Sequence, residues 1–503
     1  MMRQPRRSPH DSYETETTDH QAETETILLK HLPLSPDSPS PLQRDSHLQF
    51  LIRNLIQGFP SRYISQDASQ PWLLYWTLQS FSVMGVALDP NNKQKAIDTI
   101  MAWQHPDGGF GGGPGQAAHL LPTYAAVCAL AIVGRPGPGG GWDQIDREKM
   151  YKFFMSIKQS DGAFLVAHHA EVDVRGTYCL LVTVHLLNML TPELLEGIPG
   201  FIMSCQTYEG GFSSASQPYF SAEPEGPPIL LDSPRPPLGE AHGGYTFCSL
   251  ASWVMLQPYL ALQKPSLQRP SLNFKALLRW LVQMQGSEIE LGGFKGRTNK
   301  LVDGCYSWWV GGCFALLSSL GIVGAHGRDD NHESSTAHEG DESWDDIDDS
   351  LWDRAALQRY ILCAGQHPAG GLRDKPPKAA DSYHTLYCLA GLSAAQHNVF
   401  LSSTRQDAIV HGWRTPAGSK HEQLRQACFS HSLSWTEEEG TSRVLGAQNN
   451  RMVIFCANFE CRVTYGGFMQ NATHPVFNLT MTHTEGMMAH FYKQTIPSRP
   501  KKT

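Results

Sequence analysis

The feature that most constrains the fold of this chain is an internal repeat. Its marker is a glutamine, a short polar step and two small residues, usually glycines, followed in most copies by phenylalanine. The five copies begin at Gln104, Gln159, Gln206, Gln285 and Gln366. The intervals of 55, 47, 79 and 81 residues fit a unit of roughly 50 residues with insertions, within the range of helical repeat arrays. We therefore expect one structural unit, copied several times.

Two kinds of helix flank each marker. The helix before a marker is predicted to be amphipathic. One example has apolar residues at the helical spacing i, i+3, i+4 and i+7, namely Met150, Phe153, Phe154 and Ile157. Asp146 stands where it can cap that helix. The helix after each marker is apolar on all sides, as buried helices are, and opens with one of the tyrosines Tyr124, Tyr178, Tyr245, Tyr306 and Tyr383. The alternation predicts an all-α fold, an α/α toroid of paired inner and outer helices.

The composition divides the chain unevenly. Residues 1–48 are rich in Ser, Thr, Glu and Pro and are predicted to be a disordered tail. Residues 49–503 are predicted to form the toroid domain, with loop insertions at 213–238, 325–350 and 397–470. Within the last of these, residues 451–470 follow no repeat pattern. They are interpreted as a lineage-specific insertion or as the product of a wrongly translated intron.

Charge and cysteine content narrow the class of protein. Charged residues make up 17%, below the ~25% usual for soluble domains, which indicates surface hidden against a partner, an apolar cavity or a large core. Residues 325–353 carry a net charge of −10, so the remaining chain holds +2 of the total of −8, and nucleic-acid binding is not predicted. The 11 cysteines lie mostly in apolar stretches, and neither a secretory signal nor a membrane segment is evident. We expect a cytoplasmic protein.

Polar residues cluster just before the inner helices, where a toroid would bring them to one rim. They are Arg175, His242, Arg297, Lys300, Asp303, Cys305, Asp381 and His384. Asp303, Cys305 and His384 offer a carboxylate, a thiolate and an imidazole, and three protein ligands with an open fourth position are typical of catalytic zinc. Since 79 residues separate the histidine from the cysteine, a buried cysteine with a satisfied core histidine is the alternative.

The same region could bind an anion and an apolar chain. His242, Arg297 and Lys300 around an apolar funnel suit a diphosphate, although a solvated basic turn is the alternative. The aromatic residues of the region are Trp72, Trp76, Tyr178, Tyr245, Trp308, Trp309, Tyr383 and Tyr387. An aromatic wall would hold a long apolar ligand, and ordinary core packing is the competing explanation.

Several long motifs in this order resemble those of protein prenyltransferase β subunits. They cover residues 108–115, 171–175, 240–248, 293–307 and 369–376. The similarity runs from about residue 48 to residue 396 and resumes at Thr473. The resemblance implies that Asp303, Cys305 and His384 hold Zn²⁺ and that Asp374 is the carboxylate associated with Mg²⁺. It implies diphosphate binding by His242, Arg297, Lys300 and Tyr306, with Tyr306, Lys300 and Asp374 taking part in catalysis. It places Arg175, Tyr178, Tyr245, Cys248 and Trp309 in the isoprenoid funnel, and Trp72, Trp76 and Tyr383 near the peptide.

The resemblance also implies a reaction and a partner. The cysteine thiolate of a protein ending in C-a-a-X would attack C1 of a prenyl diphosphate, and an obligate helical-repeat α subunit would complete the enzyme. Trp72 and Tyr387 stand where bulky residues in the family favour the fifteen-carbon farnesyl chain, so farnesyl diphosphate is the expected donor. A geranylgeranyltransferase β subunit is the alternative. A terpene cyclase, suggested by the D-x-D-D pattern at 346–349, and a non-enzymatic scaffold are less favoured.

Overall fold

The structure is a computed structural model. It describes residues 7–9, 12–33, 41–218, 235–263, 270–322, 351–415, 420–438, 452–456, 459–463 and 470–499. The predicted loop at 325–350 and residues 219–234 of the loop predicted at 213–238 lie outside the described residues.

The described elements are almost all helical. The helices are α1 Glu16–Leu28, α2 Arg44–Ile56, α3 Gln70–Val83, α4 Pro90–Met101, α5 Leu120–Val133, α6 Arg147–Ser156, α7 Val174–Leu186, α8 Pro192–Leu195, α9 Ile198–Ser204, α10 Gly243–Leu262, α11 Phe274–Val282, α12 Tyr306–Trp309, α13 Gly311–Ser319, α14 Arg354–Tyr360, α15 Ser382–Gln396, α16 Ser403–Gly412, α17 Glu422–Leu433 and α18 Met481–Tyr492. Two antiparallel pairs complete the list, β1 Val399–Leu401 with β2 Trp435–Glu437 and β3 Met452–Cys456 with β4 Phe459–Val463. No helix within these described ranges is long and apolar enough to cross a membrane.

The helices form two concentric rings. In the inner ring each helix packs on the next, in the order α3, α5, α7, α10, α12 with α13, and α15. The last helix, α15, packs on α3 and closes the ring. The outer helices α2, α4, α6, α8 with α9, α11 and α14 precede them in turn along the chain. Outer helix α6 begins after Asp146, whose side chain accepts a hydrogen bond from Lys149 N at 3.0 Å, and it buries Met150, Phe153 and Phe154 inward. The predicted α/α toroid is confirmed.

Each repeat marker makes the turn from an outer helix to an inner helix. The markers close as short antiparallel bridges, Gln104 with Phe110, Lys158 with Phe164, Gln206 with Phe212, Gln285 with Phe294 and Gln366 with Leu372. In four of them the glutamine side chain then binds backbone at the start of the next outer helix. Gln206, for example, accepts from Asn273 N at 2.9 Å and donates to Asn273 O at 3.1 Å. The marker is therefore the joint between neighbouring repeats.

The last marker joins the final repeat to the first and closes the ring. Gln366 Oε1 accepts from Gln43 N at 2.7 Å and lies 2.8 Å from His47 Nε2, while Gln366 Nε2 donates to Pro41 O at 3.1 Å. Gly370 has φ +87°, and a Cβ there would overlap the Ser46 carbonyl. Only glycine suits that position, because the backbones of the two repeats meet there.

We expect Gln366→Ala to destabilise the protein more than the same substitution at a marker glutamine that does not join the last repeat to the first. The substitution leaves the buried His47 ring and backbone groups at residues 41–43 without partners, and we expect it to lower the free energy of unfolding by about 2–3 kcal/mol. Gln159→Ala is the matched control, since the one bond described for its side chain goes to Ile157 O, and we expect it to cost under about 1 kcal/mol. Urea unfolding of both variants measures the difference, and equal costs would contradict the closure argument.

Two predictions about segment boundaries are wrong. Part of the 1–48 tail is helical, because Thr15 and Thr18 form a capping box at the start of α1 and Leu28 is fully buried. Part of the 397–470 insertion is structured as well. Here β1 pairs with β2 and α16 packs on α17, and α17 also packs on α10 and α18.

A C-terminal segment closes the centre of the inner ring. The hydroxyl groups of three inner-helix tyrosines donate to successive carbonyls: Tyr178 to Val476 at 2.8 Å, Tyr124 to Phe477 at 3.4 Å and Tyr75 to Asn478 at 2.8 Å. The following helix, α18, packs on α5 and α7. The backbone of this segment therefore spans three neighbouring inner helices, α7, α5 and α3.

Candidate active site

The first turns of the inner helices bring polar side chains to one rim. Four of these helices are capped by a side chain that accepts from a backbone N–H two or three residues on: His119 for α5, Asp173 for α7, His242 for α10 and Asp381 for α15. Capping explains why polar residues precede otherwise apolar helices. Because the helices stand side by side in the ring, their caps surround one mouth.

The three predicted metal ligands meet at this rim. Potential ligand atoms of Asp303, Cys305 and His384 all lie within 4.8 Å of one another. The Cys305 residue is 4% exposed, while the Asp303 and His384 side chains are 24% and 17% exposed. His384 Nε2 lies 3.2 Å from Asp303 Oδ1 and makes no hydrogen bond within the described residues. The long sequence separation is bridged because α12 packs on α15.

The donor atoms are oriented by their own backbone and by one further carboxylate. Asp303 Oδ1 accepts from Cys305 N at 2.8 Å. Asp381 Oδ1 accepts from His384 N at 2.7 Å, and its Oδ2 lies 2.7 Å from His384 Nδ1. That contact keeps the proton on Nδ1 and turns Nε2 toward Asp303 and Cys305. A carboxylate behind a histidine in this way is common at metal centres.

The electrostatics of this group favour a cation. Burial raises the pKa of the Cys305 thiol, and the Asp303 carboxylate raises it further. Burial lowers the pKa of His384, but the neighbouring carboxylates of Asp303 and Asp381 outweigh it and raise the pKa to about 12. A metal ion that binds Nε2 therefore displaces a proton. A thiol held protonated beside a carboxylate releases its proton when a metal ion binds, since the ion replaces the missing positive charge.

A second group of side chains lies next to the metal ligands. Tyr306, which follows Cys305, has its hydroxyl 3.0 Å from His242 Nε2. Burial lowers the pKa of His242 to about 4, helped by Arg297 and Arg175, so this ring is neutral at neutral pH. Arg175 lies over the Tyr245 ring at 5.5 Å, and the Tyr245 and His242 rings are 4.7 Å apart. Four predicted residues therefore form one continuous polar edge.

The other predicted polar residues extend this edge or flank it. Arg297 Nη1 donates to Glu240 Oε1 at 2.6 Å. Lys300 is exposed. Asp374 lies 2.6 Å from Lys375 Nζ, and burial together with the Asp303 carboxylate raises its pKa. Arg297 thus lies close enough to His242 to lower its pKa, and Asp303 lies close enough to Asp374 to raise its pKa.

An aromatic belt lines the inner ring. Eight aromatic side chains form a closed series in space, and the centroids of neighbouring rings are 4.4–5.7 Å apart. In spatial order they are Trp72, Tyr124, Tyr178, Phe247, Trp309, Tyr387, Tyr383 and Trp76, which contacts Trp72 again. Every inner helix except α13 contributes. Trp309 Nε1 also donates to Tyr383 Oη at 2.9 Å. Cys248 is 3% exposed beside Phe247. The belt is an apolar wall whose edge meets the metal ligands.

Comparison with known proteins places these features in a family. Residues 42–479 match the family model described as "Prenyltransferase alpha-alpha toroid domain". The chain is 36% identical to a protein farnesyltransferase subunit beta from Pyricularia oryzae, over 77% of this chain and 71% of the relative. It is 33% identical to the one from Schizosaccharomyces pombe, over 83% of this chain and 93% of the relative. The chain belongs to the family of protein farnesyltransferase β subunits.

Related proteins with other donors are less similar. A geranylgeranyl transferase type-1 subunit beta from Arabidopsis thaliana is 25% identical, over 71% of this chain and 86% of the relative. A solved structure of Candida albicans protein geranylgeranyltransferase-I complexed with GGPP superimposes with a TM-score of 0.55 at 18% identity, covering 91% of this chain and all of that chain. That likeness shows the shared toroid fold. The sequence identities favour the farnesyltransferase branch.

Sequence reasoning missed some residues of this farnesyltransferase-family site. Tyr124 and Phe247 belong to the belt, and Tyr124 could have been found because it occupies the recurring tyrosine position at the start of an inner helix. Asp381 was noted as a polar rim residue, without its contact to His384. Trp308 was placed with the wall, but it lies outside the closed series of belt contacts. It packs on Phe247 with ring centroids 5.3 Å apart and lines a small cavity together with Trp352.

Proposed function

We propose that this chain is the catalytic β subunit of a protein farnesyltransferase. It would transfer the farnesyl group of farnesyl diphosphate to the cysteine thiolate of proteins ending in C-a-a-X, in a heterodimer with a prenyltransferase α subunit. The observation that carries the proposal is the junction of an Asp-Cys-His donor group with the aromatic belt. The names of the relatives at 33–37% identity support the same function.

The donor group fits zinc. One sulfur, one nitrogen and one carboxylate oxygen are ligands that Zn²⁺ takes in proteins, and three of them leave a fourth position open for substrate. His384 Nε2, largely buried and without a hydrogen bond in the described chain, fits the nitrogen ligand. When bound, zinc would supply the coordination position at which the thiol of the substrate ionises.

The chain's own residues would bind and orient the diphosphate. Arg297 and Lys300 would neutralise its charge, and Tyr306 and His242 would donate hydrogen bonds as charge builds on the leaving group. Burial and the neighbouring Cys305 and Asp303 raise the pKa of Tyr306, so its hydroxyl keeps its proton. Arg297 would exchange its contact with Glu240 for the diphosphate. Asp374 would hold Mg²⁺ with diphosphate oxygens, since Mg²⁺ sites commonly combine one carboxylate with substrate phosphates.

The aromatic belt would set the length of the prenyl chain. Trp72 and Tyr387 lie on opposite sides of the Trp76–Tyr383 contact in the belt, and both are bulky. We expect Trp72→Ala to shift the ratio of kcat/KM for farnesyl over geranylgeranyl diphosphate by about 10–200-fold toward the longer donor, because a pocket discriminates modestly by volume. Steady-state transfer with both donors measures the ratio. The control Trp352→Phe, at a ring that packs on Phe294 and Phe314, should keep the ratio. An unchanged ratio in Trp72→Ala would contradict the proposal.

Asp381 would hold the zinc-ligating histidine in position. Asp381→Asn keeps a capping side chain but removes the carboxylate at His384 Nδ1, and we expect zinc affinity to fall by about 10–100-fold. Competition with a chromophoric chelator measures this affinity. Asp353→Asn, the same change at the cap of outer helix α14, is the matched control and should leave the affinity unchanged. Equal affinity in both variants would exclude this role for Asp381.

A single preparation tests the proposed function. The chain is co-expressed with an α subunit, the bound zinc is measured, and transfer is assayed with farnesyl and geranylgeranyl diphosphate on a peptide ending in C-a-a-X. We expect one zinc per heterodimer and a preference for the farnesyl donor. A folded heterodimer with neither zinc nor transfer would refute the proposal, and preference for the longer donor would favour the geranylgeranyl alternative. We also propose a cytoplasmic location, supported by eight cysteines of the described chain that are buried and form no disulfide bond.

A further inference from the structure

The N-terminal segment, defined as the described residues 7–9 and 12–33, packs against the fourth repeat. Its helix α1 contacts the short helix Glu288–Glu290, which lies inside the fourth marker. Leu28 is fully buried and joins the hydrophobic core. Polar residues of α1 are also buried, since Glu25 is 5% exposed, and Gln21 Nε2 donates to Glu290. Polar contacts therefore contribute to the attachment of this segment.

The contact is centred on Glu290, which is fully buried. Ser8 Oγ donates to Glu290 Oε2 at 3.0 Å, and Gln21 Nε2 donates to Glu290 Oε1 at 2.9 Å. Ser8 N donates to Glu25 Oε1 at 3.2 Å. Lys295 Nζ lies 3.4 Å from Glu290 Oε1. The Ser8 hydroxyl therefore contacts the Glu290 carboxylate and also accepts from Gln21 Nε2 at 3.1 Å, while the backbone N–H of Ser8 contacts Glu25. Lys295 lies at the other oxygen of Glu290.

The Glu290 carboxyl is an anion at neutral pH. Burial raises its pKa, but Lys295, Ser287, Gln21 and Ser8 outweigh the burial and hold the pKa below its usual range. Every group that touches this carboxylate donates a hydrogen bond or carries positive charge. A hydroxyl donor at position 8 is compatible with that arrangement, whereas an anion there would meet Glu290 and Glu25 at close range.

The sequence around Ser8 is one that kinases can read. Ser8 is preceded by Arg7 and followed by Pro9. Ser-Pro dipeptides occur five times in the chain, and four of them fall within the first 41 residues, at Ser8, Ser35, Ser38 and Ser40. Proline disfavours helix for the residue before it, and Ser8 lies outside the helices, which suits the extended backbone that a kinase cleft accepts. The clustering points to the first 41 residues as a target of proline-directed kinases.

We propose that Ser8 is a phosphorylation site and that its phosphorylation releases the N-terminal segment from the fourth repeat. The γ-phosphoryl group of ATP passes to Ser8 Oγ, which loses its proton, and ADP leaves. Phosphoserine carries ≈ −1.5 to −2 charges at neutral pH and donates no hydrogen bond to a carboxylate. The kinase acts on the transiently released segment, because Ser8 is half-buried when docked. The phosphate then prevents return by repulsion from Glu290 and Glu25, which shifts the population to the released state.

The experiment uses the full chain copurified with its α subunit. A proline-directed serine/threonine kinase and ATP are added, modification of Ser8 is located by mass spectrometry, and hydrogen exchange is followed by peptide. We expect amide exchange in Glu16–Leu28 to become at least about tenfold faster after phosphorylation, while inner helices α5 and α7 keep their rates. Each variant is compared before and after treatment, so its own effect on docking cancels.

Two variants separate Ser8 from other sites. Ser8→Ala retains Ser35, Ser38 and Ser40, and we expect kinase treatment to leave exchange in Glu16–Leu28 unchanged. Glu290→Gln keeps hydrogen-bonding capacity at the buried position, and we expect phosphorylation of Ser8 to accelerate exchange less in this variant than in the unchanged chain. The proposal is overturned if Ser8 is not phosphorylated, if phosphorylation leaves exchange in Glu16–Leu28 unaltered, or if the acceleration persists in Ser8→Ala.

Discussion

Replacing Cys305 with alanine should abolish bound zinc and lower farnesyl transfer by at least about 1,000-fold, because a metal that stabilises a developing anion is worth several kcal/mol. Cys305 supplies the soft ligand of the donor group. It is nearly buried, and its thiol pKa is raised by burial and by Asp303. Metal analysis and steady-state transfer by the heterodimer measure both losses.

Cys388→Ala is the matched control. Cys388 lies one helical turn after His384 on α15 and is fully buried, but it is not among the clustered donors. Losing its sulfur should cost about 1 kcal/mol of stability through packing and leave one zinc and full transfer. If Cys305→Ala retains zinc and activity, the metal lies elsewhere. If both variants lose zinc, the effect comes from disturbed packing of α12 on α15.

The fold could be predicted from the sequence because its determinants are local and repeated. Asp146 precedes an apolar series of period 3.6, and the structure places a capped outer helix there. The recurring marker predicted a turn between outer and inner helices, and each copy forms one. Closure of the ring was harder to predict from the sequence, because the hydrogen bond between Gln366 and Gln43 joins residues 323 positions apart. The helix α1 was missed because its composition is polar and its burial depends on a distant loop.

For the candidate site, the sequence predicted which residues take part but not which contacts they make. Asp303, Cys305 and His384 were singled out by residue type and by resemblance, and the structure brings them together. The role of Asp381 depends on the 2.7 Å contact of its side chain with His384 Nδ1, and residue spacing alone allows several partners. The contact of Arg297 with Glu240 joins two repeats. Pairings across repeats depend on how the ring closes, which no local pattern encodes.

Acidification between about pH 6.5 and pH 4 should unfold this protein, because several histidines are buried in neutral form. His47, His185 and His474 are at most 1% exposed. Burial is the main cause that lowers their pKa, to about 4 for His47 and His185 and about 3 for His474. Hydrogen bonds from these rings to Gln366, to Leu181 O and to Ser432 O raise the pKa and only partly oppose burial.

The direction of the effect follows from proton counts. An unfolded histidine takes up a proton as the pH falls below ~6.5, whereas the folded protein leaves these three rings neutral until about pH 4. Over that interval the unfolded state binds more protons, so the free energy of unfolding falls by about 1.4 kcal/mol per pH unit for each histidine. Three such residues lower it by about 4 kcal/mol per unit, a large share of the ~5–15 kcal/mol that stabilises a typical protein.

Urea unfolding at a series of pH values measures this slope. In His185→Gln one titrating ring is absent, and the slope between pH 6 and pH 4.5 should fall by about 1.4 kcal/mol per unit, whatever the variant's stability at neutral pH. His20→Gln, at an exposed position on α1, should leave the slope unchanged. A slope that stays the same in His185→Gln would mean that acid unfolding is governed by carboxyl groups.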